Sequence, residues 1–132
     1  MKATTLCRSD LHYFSHYHDS DIHIKEPLSQ WHECAGIIAH TGLTSSPSTG
    51  QKLAIKLLSR NSPEALQLPG KWVHKHPDTL SYAEGALLKP LAVAVHAVRK
   101  AAAKLGKSYV IIIGAGAIGL LCAAVAKSVG YG

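Results

Sequence analysis

The stretch Tyr109-Val110-Ile111-Ile112-Ile113-Gly114-Ala115-Gly116-Ala117-Ile118-Gly119 decides how this chain is read. Tyr109 to Ile113 is an uncharged, largely β-branched run, the pattern of a strand buried on both faces. Ala117 to Val129 is rich in small residues and reads as a helix. Each glycine between them has a mechanical role. Gly114 permits a tight turn, Gly116 lets a phosphate approach the backbone, and Gly119 lets the helix pack close to the strand. Free N–H groups and the positive end of the helix dipole then face the turn. The glycine spacing alone is a weak signal, but both flanking contexts that it requires are met. The expectation is the first βα unit of a Rossmann dinucleotide-binding fold. Gly114, Gly116, Ala117, Ile118 and Gly119 are its cofactor-binding residues, and NAD or NADP is the cofactor. The bland alternative is a packed Gly/Ala helix with no ligand. The acidic residue that meets the ribose is expected about 20 residues further on, past Gly132, so the choice between NAD and NADP stays open.

Upstream of that unit, Leu91, Val95, Val98 and Ala102 repeat at helical spacing, with Pro90 near the start and Gly106 at the end. Ser81 and Glu84 form a capping-box pattern ahead of a helix ending near Leu88. Short strands are expected at Gly36 to Ala39, Gln51 to Leu58 and Trp72 to Lys75. Thr41 to Gly50 reads as a turn and Ser59 to Gly70 as a connection. Leu6 to Glu26 is polar and rich in His and Tyr, which suits loop with a short helix.

Composition narrows the function classes. The hydrophobic fraction of 47% supports a core, and 6% aromatics makes that core aliphatic. The net charge of +6 is spread from Lys2 to Lys127 without a dense run. That argues against nucleic acid and suits an anionic cofactor. Cys7, Cys34 and Cys122 are too few and too far apart for a disulfide framework or a closed zinc knuckle. No signal-peptide core follows Met1, so a cytoplasmic location is expected. Ser108 to Ala126 has the length of a membrane span, but its glycines argue for strand and helix, so no membrane partner is expected.

A second constellation lies near the N-terminus: Cys7-Arg8-Ser9-Asp10-Leu11-His12 and Trp31-His32-Glu33-Cys34. A catalytic zinc takes about three protein ligands and keeps one position open. Cys7, His32 and Glu33 offer such a set, with Asp10 as an outer partner of His32 and Ser9 as a hydroxyl able to take a proton from a bound alcohol. On pattern alone this signal is poor, because nine histidines place some His near some Cys by chance. His16, His18, His23, His40, His74, His76 and His96 read as exposed or partly buried side chains without a role, and Cys34 and Cys122 as small hydrophobes.

The order Cys7-Arg8-Ser9-Asp10, His32-Glu33, Glu84-Gly85-Ala86-Leu87, Pro90-Leu91-Ala92-Val93-Ala94-Val95-His96 and then the glycine turn resembles the zinc-containing medium-chain dehydrogenases. Asp10 to Phe14 and Trp72 to Lys75 resemble the polyol branch, the sorbitol, xylitol and arabinitol dehydrogenases. The resemblance implies an α/β chain: an incomplete GroES-like β catalytic domain over residues 1–88, then the start of a Rossmann domain over 89–132. It implies Cys7, His32 and Glu33 as zinc ligands, Ser9 and His12 as the catalytic proton relay, and a small-molecule polyol or alcohol as substrate. Lys89 and Trp31 depart from the family pattern, which has Glu or Cys before Pro-Leu and Gly before the histidine. The four-cysteine structural lobe is absent from Leu58 to Lys71.

The expected function is therefore hydride transfer from a secondary alcohol to NAD(P) by a zinc-dependent oxidoreductase. The alternative is a truncated, catalytically inactive remnant or partner-binding fragment. An exposed edge at Tyr109 to Ile113 leaves homo-oligomerisation open.

Overall fold

The computed structural model describes residues 1–19, 22–23, 32–42, 48–56, 70, 73–101 and 109–131. The chain divides into two compact units, Met1–Lys89 and Pro90–Gly132.

The first unit is built on a four-stranded antiparallel sheet in the order β1-β4-β5-β6. Its strands are β1 (Ala3–Thr4), β4 (Glu33–Ile37), β5 (Lys52–Lys56) and β6 (Val73–Lys75). Ala3 pairs with Ala35, Cys34 with Ile55, and Ala54 with His74. Between β1 and β4 lie helix α1 (Arg8–His16) and a small hairpin of β2 (His18–Asp19) and β3 (Ile22–His23). The strand expected at Gly36 to Ala39 lies earlier, at Glu33–Ile37, because its partners Ala3 and Thr4 pair there. The strand expected at Gln51 to Leu58 covers Lys52–Lys56, and the rest of the Ser59 to Gly70 connection up to residue 69 lies outside the described residues.

Helix α2 (Tyr82–Ala86) starts on the expected cap. The Ser81 hydroxyl accepts from Glu84 N–H, and the Glu84 carboxylate accepts from Ser81 N–H at 2.8 Å. Such a reciprocal cap satisfies helix-end donors that would otherwise be orphaned. The helix packs closely on the sheet because of Gly85. A Cβ there would lie 3.0 Å from both Ala35 Cβ and His76 Nε2. The core beneath is small and mostly aliphatic: Cys34 and Ala35 are fully buried, joined by Leu53, Ala54 and Ala86. His76 departs from its expected exposed or half-buried place. It is 1% exposed, with Nδ1 2.9 Å from Pro77 O and its ring edge-on to Tyr82. The missing side chain of Gly85 makes room for that imidazole. Lys52 closes the same corner, its ammonium donating to Asp78 O at 2.9 Å and lying 5.4 Å from the Tyr82 ring centroid.

Helix α3 (Leu88–Lys100) runs across the unit boundary, with Pro90 in its first turn and Arg99 and Lys100 at its negative end. The closing glycine expected at Gly106 lies outside the described residues. In the second unit, α4 (Ala117–Ser128) begins at Gly116. Gly130, at φ +87°, ends it, and Tyr131 N–H donates back to Ala126 O at 3.0 Å. Among the described residues no helix is long and apolar enough to cross a membrane.

Among the described residues, the strand expected at Tyr109 to Ile113 finds no partner. These residues pair with no described strand, and Tyr109, Ile111 and Ile113 are 93%, 88% and 97% exposed. A run that is apolar on both faces becomes a strand only between neighbours that supply ladder hydrogen bonds. No described residues take that part.

Candidate metal centre and glycine turn

The candidate metal centre forms where β1 hands over to α1 and where β4 begins. Cys7 is the residue before α1, with extended backbone angles. The α1 cap is made by Asp10, whose Oδ2 accepts from Cys7 N–H at 2.8 Å. The Glu33 carbonyl accepts from Thr5 N–H at 2.9 Å and from the Thr4 hydroxyl at 3.1 Å, which fixes the first residue of β4 against the end of β1. These local bonds bring Cys7, His32 and Glu33 together. Their ligand atoms lie within 4.8 Å of one another.

The imidazole of His32 stands between two carboxylates. Its Nδ1 is 3.1 Å from Asp10 Oδ1, and its Nε2 is 4.0 Å from Glu33 Oε1. Asp10 Oδ1 is buried and, although close to Nδ1, has no aligned hydrogen-bond partner. Glu33 is 6% exposed and occupied at both oxygens. Oε2 accepts from the Thr5 hydroxyl, and Oε1 accepts from the Lys89 ammonium at 3.2 Å.

The donor chemistry fits a zinc ion: one thiol, one imidazole and one carboxylate, with an acid on the imidazole's far nitrogen to fix its tautomer. The orphaned Asp10 oxygen supports the same fit, since a metal on Nε2 would require Nδ1 to carry the proton and donate it. The occupation of both Glu33 oxygens, by Lys89 and by the Thr5 hydroxyl, runs against it.

Ser9 and His12 are both on α1 but in different settings. Ser9 is half-buried, and its hydroxyl has no hydrogen-bond partner among the described residues. His12 is exposed and stacks on His16 with ring centroids 4.4 Å apart, next to His18 at 6.0 Å. No hydrogen bond, ion pair or ring contact joins His12 to Cys7, His32 or Glu33. Trp31 lies outside the described residues.

In the glycine turn, Gly114 takes φ +114°, a conformation open to glycine and costly for other residues. A Cβ on Gly119 would lie 1.9 Å from Gly114 O, so helix and turn touch there at backbone distance. At Gly116 a Cβ would meet nothing within 4 Å. That leaves the first turn of α4 uncovered, which suits a pyrophosphate resting on its N–H groups.

Sequence reasoning missed the Thr5 hydroxyl and the direct Lys89–Glu33 contact. The first had no signal. The second was signalled by a lysine where the family pattern has a carboxylate or thiol.

No family model matches the chain. The chain is 34% identical over 159 aligned positions to "Probable D-xylulose reductase A" of Neosartorya fischeri, covering 98% of this chain and 44% of that protein. It is 31% identical to D-xylulose reductase A of Aspergillus niger, with the same coverage. Among solved structures, L-idonate 5-dehydrogenase of Escherichia coli superposes with a TM-score of 0.81 at 25% identity, over 97% of this chain and 46% of that one. Galactitol-1-phosphate dehydrogenase of the same organism gives 0.79 at 26% identity, over 97% and 44%. The chain thus spans about half the length of the relatives it matches.

Proposed function

We propose that this chain, similar to D-xylulose reductase A and L-idonate 5-dehydrogenase, belongs to the polyol branch of the zinc-containing medium-chain dehydrogenases and serves hydride transfer between a secondary alcohol of a small polyol and NAD or NADP. The convergence of Cys7, His32 and Glu33 within 4.8 Å carries the reading. Residues 1–88 form the substrate and metal part, and 89–132 the beginning of the cofactor part. Bound there, zinc would polarise the alcohol oxygen and the nicotinamide would take the hydride.

The chain's own residues supply the rest. Asp10 holds the His32 ring by Nδ1, leaving Nε2 toward Glu33. The half-buried Ser9 hydroxyl accepts the alcohol proton. His12, one helical turn on and exposed, passes it to water. Gly116 and the N–H groups of Ala117 and Ile118 hold the pyrophosphate. Gly114 and Gly119 keep turn and helix close enough to present them.

The test is formation of NAD(P)H from sorbitol and xylitol by the zinc-loaded chain, beside its metal content and the Ser9→Ala variant. Turnover that needs zinc and falls in the variant is expected. Metal-free protein without nucleotide reduction overturns the reading. A second reading, a non-catalytic chain that binds a partner, is favoured by the exposed Tyr109, Ile111 and Ile113. Turnover by the purified chain excludes it.

A further inference from the structure

The carboxylate oxygen placed to hold the metal is already in use. Glu33 Oε1 is the atom 4.0 Å from His32 Nε2, and it is also the atom 3.2 Å from Lys89 Nζ. The other oxygen is held by the Thr5 hydroxyl, so Glu33 cannot simply offer its second face. Lys89 sits in the first turn of α3, where the helix dipole disfavours a cation. Its ammonium is turned instead onto the Glu33 carboxylate.

The two occupants meet at one atom. A metal ion on Glu33 Oε1 would stand beside the Lys89 ammonium, 3.2 Å from that same oxygen, in a largely buried place where repulsion between two cations is weakly screened.

We infer that Lys89 is a tethered cation that competes with the metal ion for Glu33 Oε1. In the metal-free chain Lys89 neutralises a carboxylate whose burial would otherwise cost stability. Metal capture expels it. The lysine side chain keeps 21% of its surface in water and has a flexible stem, so a way out exists. This rests on the metal-centre reading above and adds a regulator to it: the chain carries its own occupant for the metal-free state.

The competition gives opposite signs on two measurements. Co(II) titration of the full chain, followed by the thiolate-to-cobalt absorption band, reads metal affinity. Thermal unfolding in chelator reads metal-free stability. Lys89→Met is expected to bind Co(II) about tenfold tighter or more and to melt at a lower temperature without metal. Lys89→Arg keeps the charge and is expected to match the wild type on both.

Equal affinity in wild type and Lys89→Met overturns the competition and leaves the metal centre standing. No cobalt–thiolate band in any protein overturns the metal centre and the competition with it. Should Lys89→Met fail to fold, acetylation of Lys89 in the wild type decides. Its rate is expected to rise severalfold when Zn(II) is added, and an unchanged rate overturns the proposal.

Discussion

Cys7 and Cys34 carry the same thiol into opposite surroundings. Cys34 is fully buried, and that burial pushes its pKa above the ordinary value, partly offset by the N-terminal ammonium. A raised thiol pKa means the native state holds its proton longer than the unfolded chain. The stability it gives is complete below the ordinary value of 9.0 and is lost as pH rises through the native value. Iodoacetamide is therefore expected to modify half-buried Cys7 well before Cys34, and Cys34 only as alkali unfolds the chain. Peptide mapping over a pH series checks both. At Gly119 the expected effect is steric. Gly119→Ala places a methyl against the Gly114 carbonyl, costs roughly 1–3 kcal/mol in that unit, and weakens NAD(P) binding by calorimetry. At the metal centre the residue types were legible through the family resemblance rather than from composition, since nine histidines make a chance pairing with a cysteine common. Sequence could not show the Lys89–Glu33 contact, which joins distant parts of the chain, nor the burial of His76, which depends on Gly85 having no side chain.

Among the elements, α2 was the most readable because its signal is local. Ser81 and Glu84 are three residues apart and bond each other directly. Ser81→Ala is expected to lower stability by about 1 kcal/mol, measurable in a denaturant melt. The Glu84 carboxyl is held below the ordinary carboxylate value first by the Ser81 hydroxyl and then by the Ser81 N–H. Its contribution is therefore present above the unfolded value and fades as pH falls through the lower native one. Ser81→Ala should accordingly cost less in acid than at neutral pH. Strands were less readable. β1, β2 and β3 are two residues long, too short for alternation to show. Tyr109 to Ile113 failed the other way: its pattern is strong, but a strand is a property of its partners.

At the scale of the molecule, the exposure of that run, unpaired among the described residues, bears on the expected solution behaviour. Exposed apolar side chains on a run with no strand partner among the described residues favour association. Sedimentation should show a concentration-dependent shift, reduced in Ile111→Lys, and a constant sedimentation coefficient would refute the association. One feature of the first unit reaches beyond statics. Asp10 divides its carboxylate between the amide that starts α1 and the ring of His32. Fraying of the helix and loosening of the imidazole are then expected to be coupled through that one carboxylate. Amide exchange at Cys7 and ring motion at His32 should keep the same time, so that the helix's first turn acts as the clock of the site.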